Sequence, residues 1–241
     1  MSKPLRILLI GATGRMGKLI QETGKASHEP RVEFSALINR QNTLEFDKAV
    51  ANSDVVLDVS APKATTAFLG QLMRKKQKIP YVIGCTGWND AELGDVQRYA
   101  EQACVVMAPN FSAGMTLVAN WIEKSALILK KYGYLVAIKE THHARKKDAP
   151  SGTAKSVSEK LMAAEVPVSV TSVREGDVVG KHEFEIVGPS DRFVIVHEAT
   201  NRSVFAHGAI SAAAWASKSA DEESVGIFSM TDVLEIGLVN F

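Results

Sequence analysis

The chain predicts an α/β fold in two parts, a parallel-sheet unit with a dinucleotide-binding turn and a central α+β unit inserted into it. Three observations carry this. A glycine-rich turn, GATGRMG at 11–17, follows the first apolar run directly and opens a helix. Short apolar runs then alternate with helical stretches as far as Ser112. Beyond it the pattern changes to one long amphipathic helix followed by longer strand-like stretches. The expected division is 1–112 with 203–241 for the dinucleotide-binding domain and 113–202 for the substrate-binding and oligomerisation domain.

Leu5-Arg6-Ile7-Leu8-Leu9-Ile10 is a nearly continuous apolar run, the signature of a strand buried on both faces of a parallel sheet. Gly11, Gly14 and Gly17 follow in a GxxGxxG spacing, with helix expected over 18–25. Gly11 makes the tight turn, Gly14 lets a ligand approach the backbone, and Gly17 lets helix and strand pack closely. A pyrophosphate fits on the N-terminus of that helix. The second strand is 32–38 and ends at Asn39-Arg40. An acidic residue normally stands there to bind the ribose 2′-hydroxyl of NAD. Asn39 does not repel a 2′-phosphate and Arg40 can pair with one in bidentate fashion, with Arg15 as a further cation. The cofactor expected on these residues is NADPH, with NADH possible.

Strands are expected at 55–60, 81–83 and 105–108, and helices at 65–76 and 92–102. Ligands of such sheets bind beyond the carboxyl ends of the strands, where 60–62, 84–87 and 108–112 lie. In the second part, 115–131 reads as one helix. Strands are expected at 134–141, 168–174, 181–187 and 191–198 in an antiparallel or mixed sheet. Val136-Ala137-Ile138 reads as a buried strand end. An open hydrophobic sheet face there would pair with another subunit. Residues 205–218 return to helix, and the tail around 227–234 is expected to fold back onto the first domain.

The densest chemistry lies in ETHHARKKDAPSGTA at 140–154. Asp148-Ala149-Pro150 breaks regular structure. Ser151 reads as an N-cap, with Gly152 and Thr153 in the first turn of a helix through Leu161. The helix N-terminus suits an anion. One loop therefore supplies two imidazoles, an ammonium group and an anion cradle, the set that acid–base chemistry on a small anionic substrate requires. Lys146 is the better proton donor, because neighbouring cations lower a lysine pKa.

Composition excludes several classes. A net charge of +1 gives no global case for nucleic acid or membrane. Apolar runs of about seven residues fall short of the ~20 that a membrane span needs. Cys85 and Cys104 have no metal-binding spacing, so no metal is expected; they read as free thiols in a reducing cytoplasm. The N-terminus enters a strand with no signal peptide.

Together 11–17, 82–87, 110–114, 140–154, 174–176 with 179–180, and 228–234 resemble the bacterial 4-hydroxy-tetrahydrodipicolinate (dihydrodipicolinate) reductase family along essentially the whole chain. The 140–154 segment is specific to that family; the glycine turn is not. The resemblance implies a split Rossmann-like domain around a central substrate and tetramerisation domain, a cytoplasmic homotetramer, and NAD(P)H-dependent reduction of the cyclic imine to tetrahydrodipicolinate. It implies His142 as acid–base residue and Lys146 as proton donor. His143, Gly152 and Thr153, with Ser151 in the same turn, would bind the carboxylates of a small dicarboxylate substrate. Gly11, Ala12, Thr13, Gly14, Arg15, Met16, Asn39, Arg40, Gly84, Cys85, Thr86, Ala108, Pro109, Asn110 and Phe111 would line the cofactor site. Many members carry Glu at the position of Asn39 and Thr at that of Cys85. Two other readings share parts of the pattern: another nicotinamide-dependent dehydrogenase of a small carboxylate, and a non-catalytic NADPH-sensing module. The second gives no reason for the 142–153 constellation.

Overall fold

The computed structural model describes residues 3–221 and 224–235. Residues 1–2, 222–223 and 236–241, which the expected first domain includes, lie outside the described residues. The chain divides into two compact units, one running to Phe111 and resuming at Ser203, the other Ser112–Arg202.

The first unit holds a six-stranded parallel sheet built from β1 (Leu5–Ile10), β2 (Val32–Ile38), β3 (Val55–Asp58), β4 (Tyr81–Ile83), β5 (Cys104–Met107) and β10 (Gly226–Phe228). The order across the sheet is β10-β5-β4-β3-β1-β2. The apolar run of β1 serves both faces by simple alternation. Ile7 and Leu9 enter a core with Ile20 and a row of small residues, Ala206, Ala209, Ala213 and Ala216. Leu8 and Ile10 enter the opposite core with Phe46, Phe68, Leu72 and Tyr99. The first face is covered by α1 (Arg15–Ala26) and α7 (Ser203–Asp221), the second by α2 (Phe46–Val50), α3 (Pro62–Arg74) and α4 (Asp90–Ala100).

Helix starts differ from the expected ones in a consistent direction. Gly14 is extended at the N-cap, so α1 begins inside the glycine turn at Arg15 rather than at 18. Pro62 takes the first position of α3, where its missing N–H and fixed φ cost nothing, so that helix begins at 62 rather than 65. Asn89 and Glu92 form a reciprocal capping box that starts α4 at Asp90. The short 3-10 turn Thr43–Glu45 and α2 had no counterpart in the expected elements, being too short to show a period. β10 pairs in parallel with β5, and α8 (Met230–Val233) follows it.

The second unit holds α5 (Ala113–Lys131), β6 (Leu135–His142), α6 (Gly152–Ala163), β7 (Val168–Arg174), β8 (Lys181–Val187) and β9 (Arg192–Glu198). Its sheet runs β7-β6-β8-β9 and is mixed: β6 and β7 are parallel, joined through α6, and the other pairs are antiparallel. Helices α5 and α6 cover one face, through Met115, Ile122, Leu129, Val157 and Leu161 against Val136, Ile138, Phe184 and Ile186. Strand β6 matches the strand expected at 134–141 to within a residue, and its pairing with β7 continues to His142, opposite Arg174.

Candidate active site

Strand β6 carries the site because its inward file changes chemistry halfway along. Val136, Ile138, Glu140 and His142 share one face at the strand period of two. The first two are core. Glu140 is also fully buried, at 0 % exposure, so its charge needs partners. Arg174 at the end of β7 donates to both Glu140 oxygens, at 3.1 and 2.8 Å. The Ser151 N–H donates to Oε1 at 3.2 Å, and His142 Nδ1 lies in hydrogen-bond contact with Oε2. Burial alone would raise the Glu140 carboxyl, but the hydrogen bonds from Arg174, Ser172 and His142 outweigh it and hold the group down at about 2.

His142 is pushed the other way. Burial lowers its pKa and the nearby charges of Lys146 and Arg174 add to that, while Glu140 opposes them; the net direction is down. Behind it, edge to face at 5.2 Å between ring centroids, stands His182 of β8, the cross-strand partner of Glu140. His182 is buried and its imidazole is held down at about 4, chiefly by burial. Its Nε2 lies 3.1 Å from Ser151 Oγ, which also caps α6 by accepting from the Ala154 N–H. The hydroxyl and N–H of Ser151 are thus engaged inside the protein. Ser151 caps the helix start, where Gly152 and Thr153 are half-buried and the first-turn N–H groups suit an anion.

Lys146 sits on the loop after β6, its N–H bonded to the His143 carbonyl. Of the three consecutive cations it alone is partly buried, at 22 % side-chain exposure. Its ammonium lies 2.8 Å from the Asp148 carboxylate, and Arg145 turns away to pair with Asp177. The cationic surround expected for Lys146 therefore contains a carboxylate, which engages one of the three N–H donors of its ammonium. His143 is half-buried on the same loop.

In the first unit, a cavity of about 920 Å³ opens at the carboxyl ends of β1, β2 and β3. Gly11, Thr13, Gly14, Asn39 and Arg40 line it, joined by Ser60 of the 60–62 turn expected at the ligand end of the sheet and by Lys63, which sequence reasoning had not singled out. Arg40 is exposed and makes no salt bridge among the described residues. A dinucleotide fits these residues: Gly11 has φ +82°, and a Cβ there would lie 2.9 Å from the Val59 carbonyl carbon. At Gly17 a Cβ would lie 2.8 Å from the Ala12 Cα, so helix and turn touch backbone to backbone. Ala12 is buried in the turn, Met16 packs on the core and Arg15 is exposed. Gly84 lies against the Phe111 ring, where a Cβ would be 2.5 Å from it. Cys85, Thr86, Ala108, Pro109 and Asn110 flank that contact but do not line the cavity. The Cys85 thiol is pushed up to about 12, mainly by burial.

Asp58, at the end of β3, was also missed. It is fully buried and accepts from the Ser60 N–H at 2.9 Å, from Thr65 at 2.8 Å and from Tyr81 at 2.8 Å. Burial raises its pKa against those bonds. It thereby fixes the turn that brings Ser60 to the cavity.

A parallel sheet with a glycine turn after its first strand is the architecture of a dinucleotide-binding domain, and the second unit adds a buried carboxylate–histidine pair. Family models described as dihydrodipicolinate reductase, N-terminus and C-terminus, match residues 5–111 and 114–234. A 4-hydroxy-tetrahydrodipicolinate reductase of Alkaliphilus oremlandii (strain OhILAs) is 33% identical over 248 residues, covering 95% of this chain and 98% of that protein. A dipicolinate-bound dihydrodipicolinate reductase from Paenisporosarcina sp. TG-14 shares the fold with a TM-score of 0.75 at 19% identity, over 95% of this chain and 99% of that one. An engineered D-amino acid dehydrogenase bound to NADP+ shares it with a TM-score of 0.60 at 11% identity, over 99% and 97%. The chain belongs to the dihydrodipicolinate reductase family. It is an oxidoreductase of the reduction step that forms tetrahydrodipicolinate in lysine and diaminopimelate biosynthesis. No helix among the described residues is long and apolar enough to cross a membrane.

Proposed function

We propose that this chain reduces 4-hydroxy-tetrahydrodipicolinate in the cytoplasm, as a homotetramer, with NADPH used at least as well as NADH. In this reading the first unit binds the dinucleotide and the second binds the dicarboxylate. The observation that carries it is the β6–α6 loop, which gathers His142, Lys146 and an anion-accepting helix start within one unit.

The nicotinamide supplies the hydride when bound. The protein's own task is to hold the substrate and move protons. Gly152 and Thr153, with His143, hold the carboxylates at the head of α6. Lys146 gives its proton to the ring carbon beside the one reduced. His142 assists loss of the 4-hydroxyl as water, accepting the adjacent ring proton at Nε2 and returning it to the departing hydroxide. Gly11, Thr13 and Gly14 receive the cofactor phosphates, and the loops 84–86 and 108–111 complete its site.

The cofactor preference rests on Arg40, an exposed guanidinium lining the cavity beside an uncharged Asn39. Arg40→Ala should weaken NADPH binding by about tenfold or more, a charge-assisted hydrogen bond being worth about 1.5–3 kcal/mol. NADH binding should change little. Calorimetry with both nucleotides checks this, and equal losses would remove Arg40 from the 2′-phosphate site.

Assembly rests on the sheet face opposite α5 and α6. Val194 and Val196 of β9 are 50% and 49% exposed, and Leu135 of β6 is 46% exposed. Lys139, Glu183 and Glu185 stand among them. The face carries charges among its apolar side chains, more mixed than the hydrophobic face expected, and suits self-pairing of polar and apolar groups. Light scattering should give a tetramer at micromolar concentration; a monomer would overturn this part of the reading.

A further inference from the structure

We propose that Glu140 is a positioning residue that locks His142 in the Nδ1–H tautomer, so that its Nε2 is presented as a bare acceptor. The inference rests on His142 taking part in the reaction, as read above.

The geometry leaves His142 little choice. Its Nδ1 faces Oε2 of a carboxylate that is fully buried and can only accept. The proton therefore sits on Nδ1, and the hydrogen bond fixes both the tautomer and the ring angle. His142 Nε2 lies on the side of Gly180, where an added Cβ would be 3.1 Å away; a side chain there would crowd the nitrogen. His182 braces the ring from behind. Other ties keep Glu140 from following the imidazole: the Arg174 guanidinium and the Ser172 hydroxyl from β7, and the Ser151 N–H from the head of α6. The carboxylate thus links the imidazole to the capped helix start. With Nδ1–H donated to a carboxylate that only accepts, the neutral His142 ring offers its lone pair at Nε2, and burial favours that neutral form. That leaves Lys146 as the loop's proton source and gives His142 the accepting role.

The first readout needs no turnover. Long-range proton–nitrogen NMR of the wild-type His142 ring near pH 7 should show Nδ1 protonated and Nε2 bare. A proton on Nε2 would overturn the proposal, whether or not any variant folds. The second readout is a double-variant cycle. Glu140→Gln should lower kcat about tenfold or more and move the pH profile, since a general acid–base group is typically worth about 10²–10⁴. Glu140→Gln combined with His142→Gln should be no slower than His142→Gln alone. Additive losses, with a raised KM, would mean that Glu140 acts through Arg174 and Ser151 and not through the imidazole. If His142→Gln keeps full activity, the catalytic role read for His142 fails while the tautomer result still stands on its own.

Discussion

Lys146→Ala should lower kcat by about 10²-fold or more, the typical loss on removing a general acid, while leaving NADPH affinity unchanged. Of the three consecutive cations only Lys146 is partly buried, and its backbone is fixed by the His143 carbonyl. Arg145 is exposed and already paired with Asp177, so it cannot replace the lost ammonium without giving up that partner. Asp148 would lose its ion pair in the variant, but both groups reach solvent and the effect on stability should be small, about 1 kcal/mol or less. Steady-state kinetics across the pH range measure the first effect and calorimetry with NADPH the second. Near-normal kcat at every pH would transfer the proton to another donor and remove Lys146 from its role.

Gly208→Ala should destabilise the protein strongly, although helix propensity alone predicts a gain of about 1 kcal/mol from this exchange in a helix. Packing decides the sign. A Cβ at Gly208 would collide with the Phe111 carbonyl oxygen and lie 2.9 Å from its carbon. That obstacle is backbone, and Phe111 is itself seated against Gly84. Helix α7 must lift from a core lined by alanines, or the end of β5 must move. Overpacking of this kind typically costs about 1–3 kcal/mol and more when backbone must shift. For a chain of this size that lowers Tm by on the order of 10 °C. Thermal denaturation checks it; an unchanged Tm would contradict the close crossing of α7 over Phe111.

Much of the first unit was legible because both of its signals are local. A run such as Leu5–Ile10 announces a strand buried on both faces, and Gly11, Gly14 and Gly17 can be read for the backbone contacts they allow. Helix starts were placed late because Gly14, Pro62 and Asp90 look like breakers or loop residues until their caps are seen. The cavity was legible at Arg40 but not at Lys63, which stands next to Pro62 ahead of the expected helix and carries no motif of its own. In the second unit His142 and Lys146 stood out by residue type. Glu140 did not, yet the alternation Val136, Ile138, Glu140, His142 was available to show that it turns inward. Arg174 and His182 come from strands far along the chain, and only the register of β6 with β7 and β8 brings them to Glu140. Ser151 was legible as a cap from its place just after Pro150 and before the helical stretch.

The most direct test of the central reading is NADPH oxidation by the wild-type protein, followed optically, with the cyclic substrate generated in situ by the synthase step that precedes this reduction. Rapid oxidation that depends on that substrate, and slower or equal oxidation of NADH, is the predicted result. Tight NADPH binding with no substrate-dependent oxidation would contradict it and would leave a cofactor-binding module in place of a reductase.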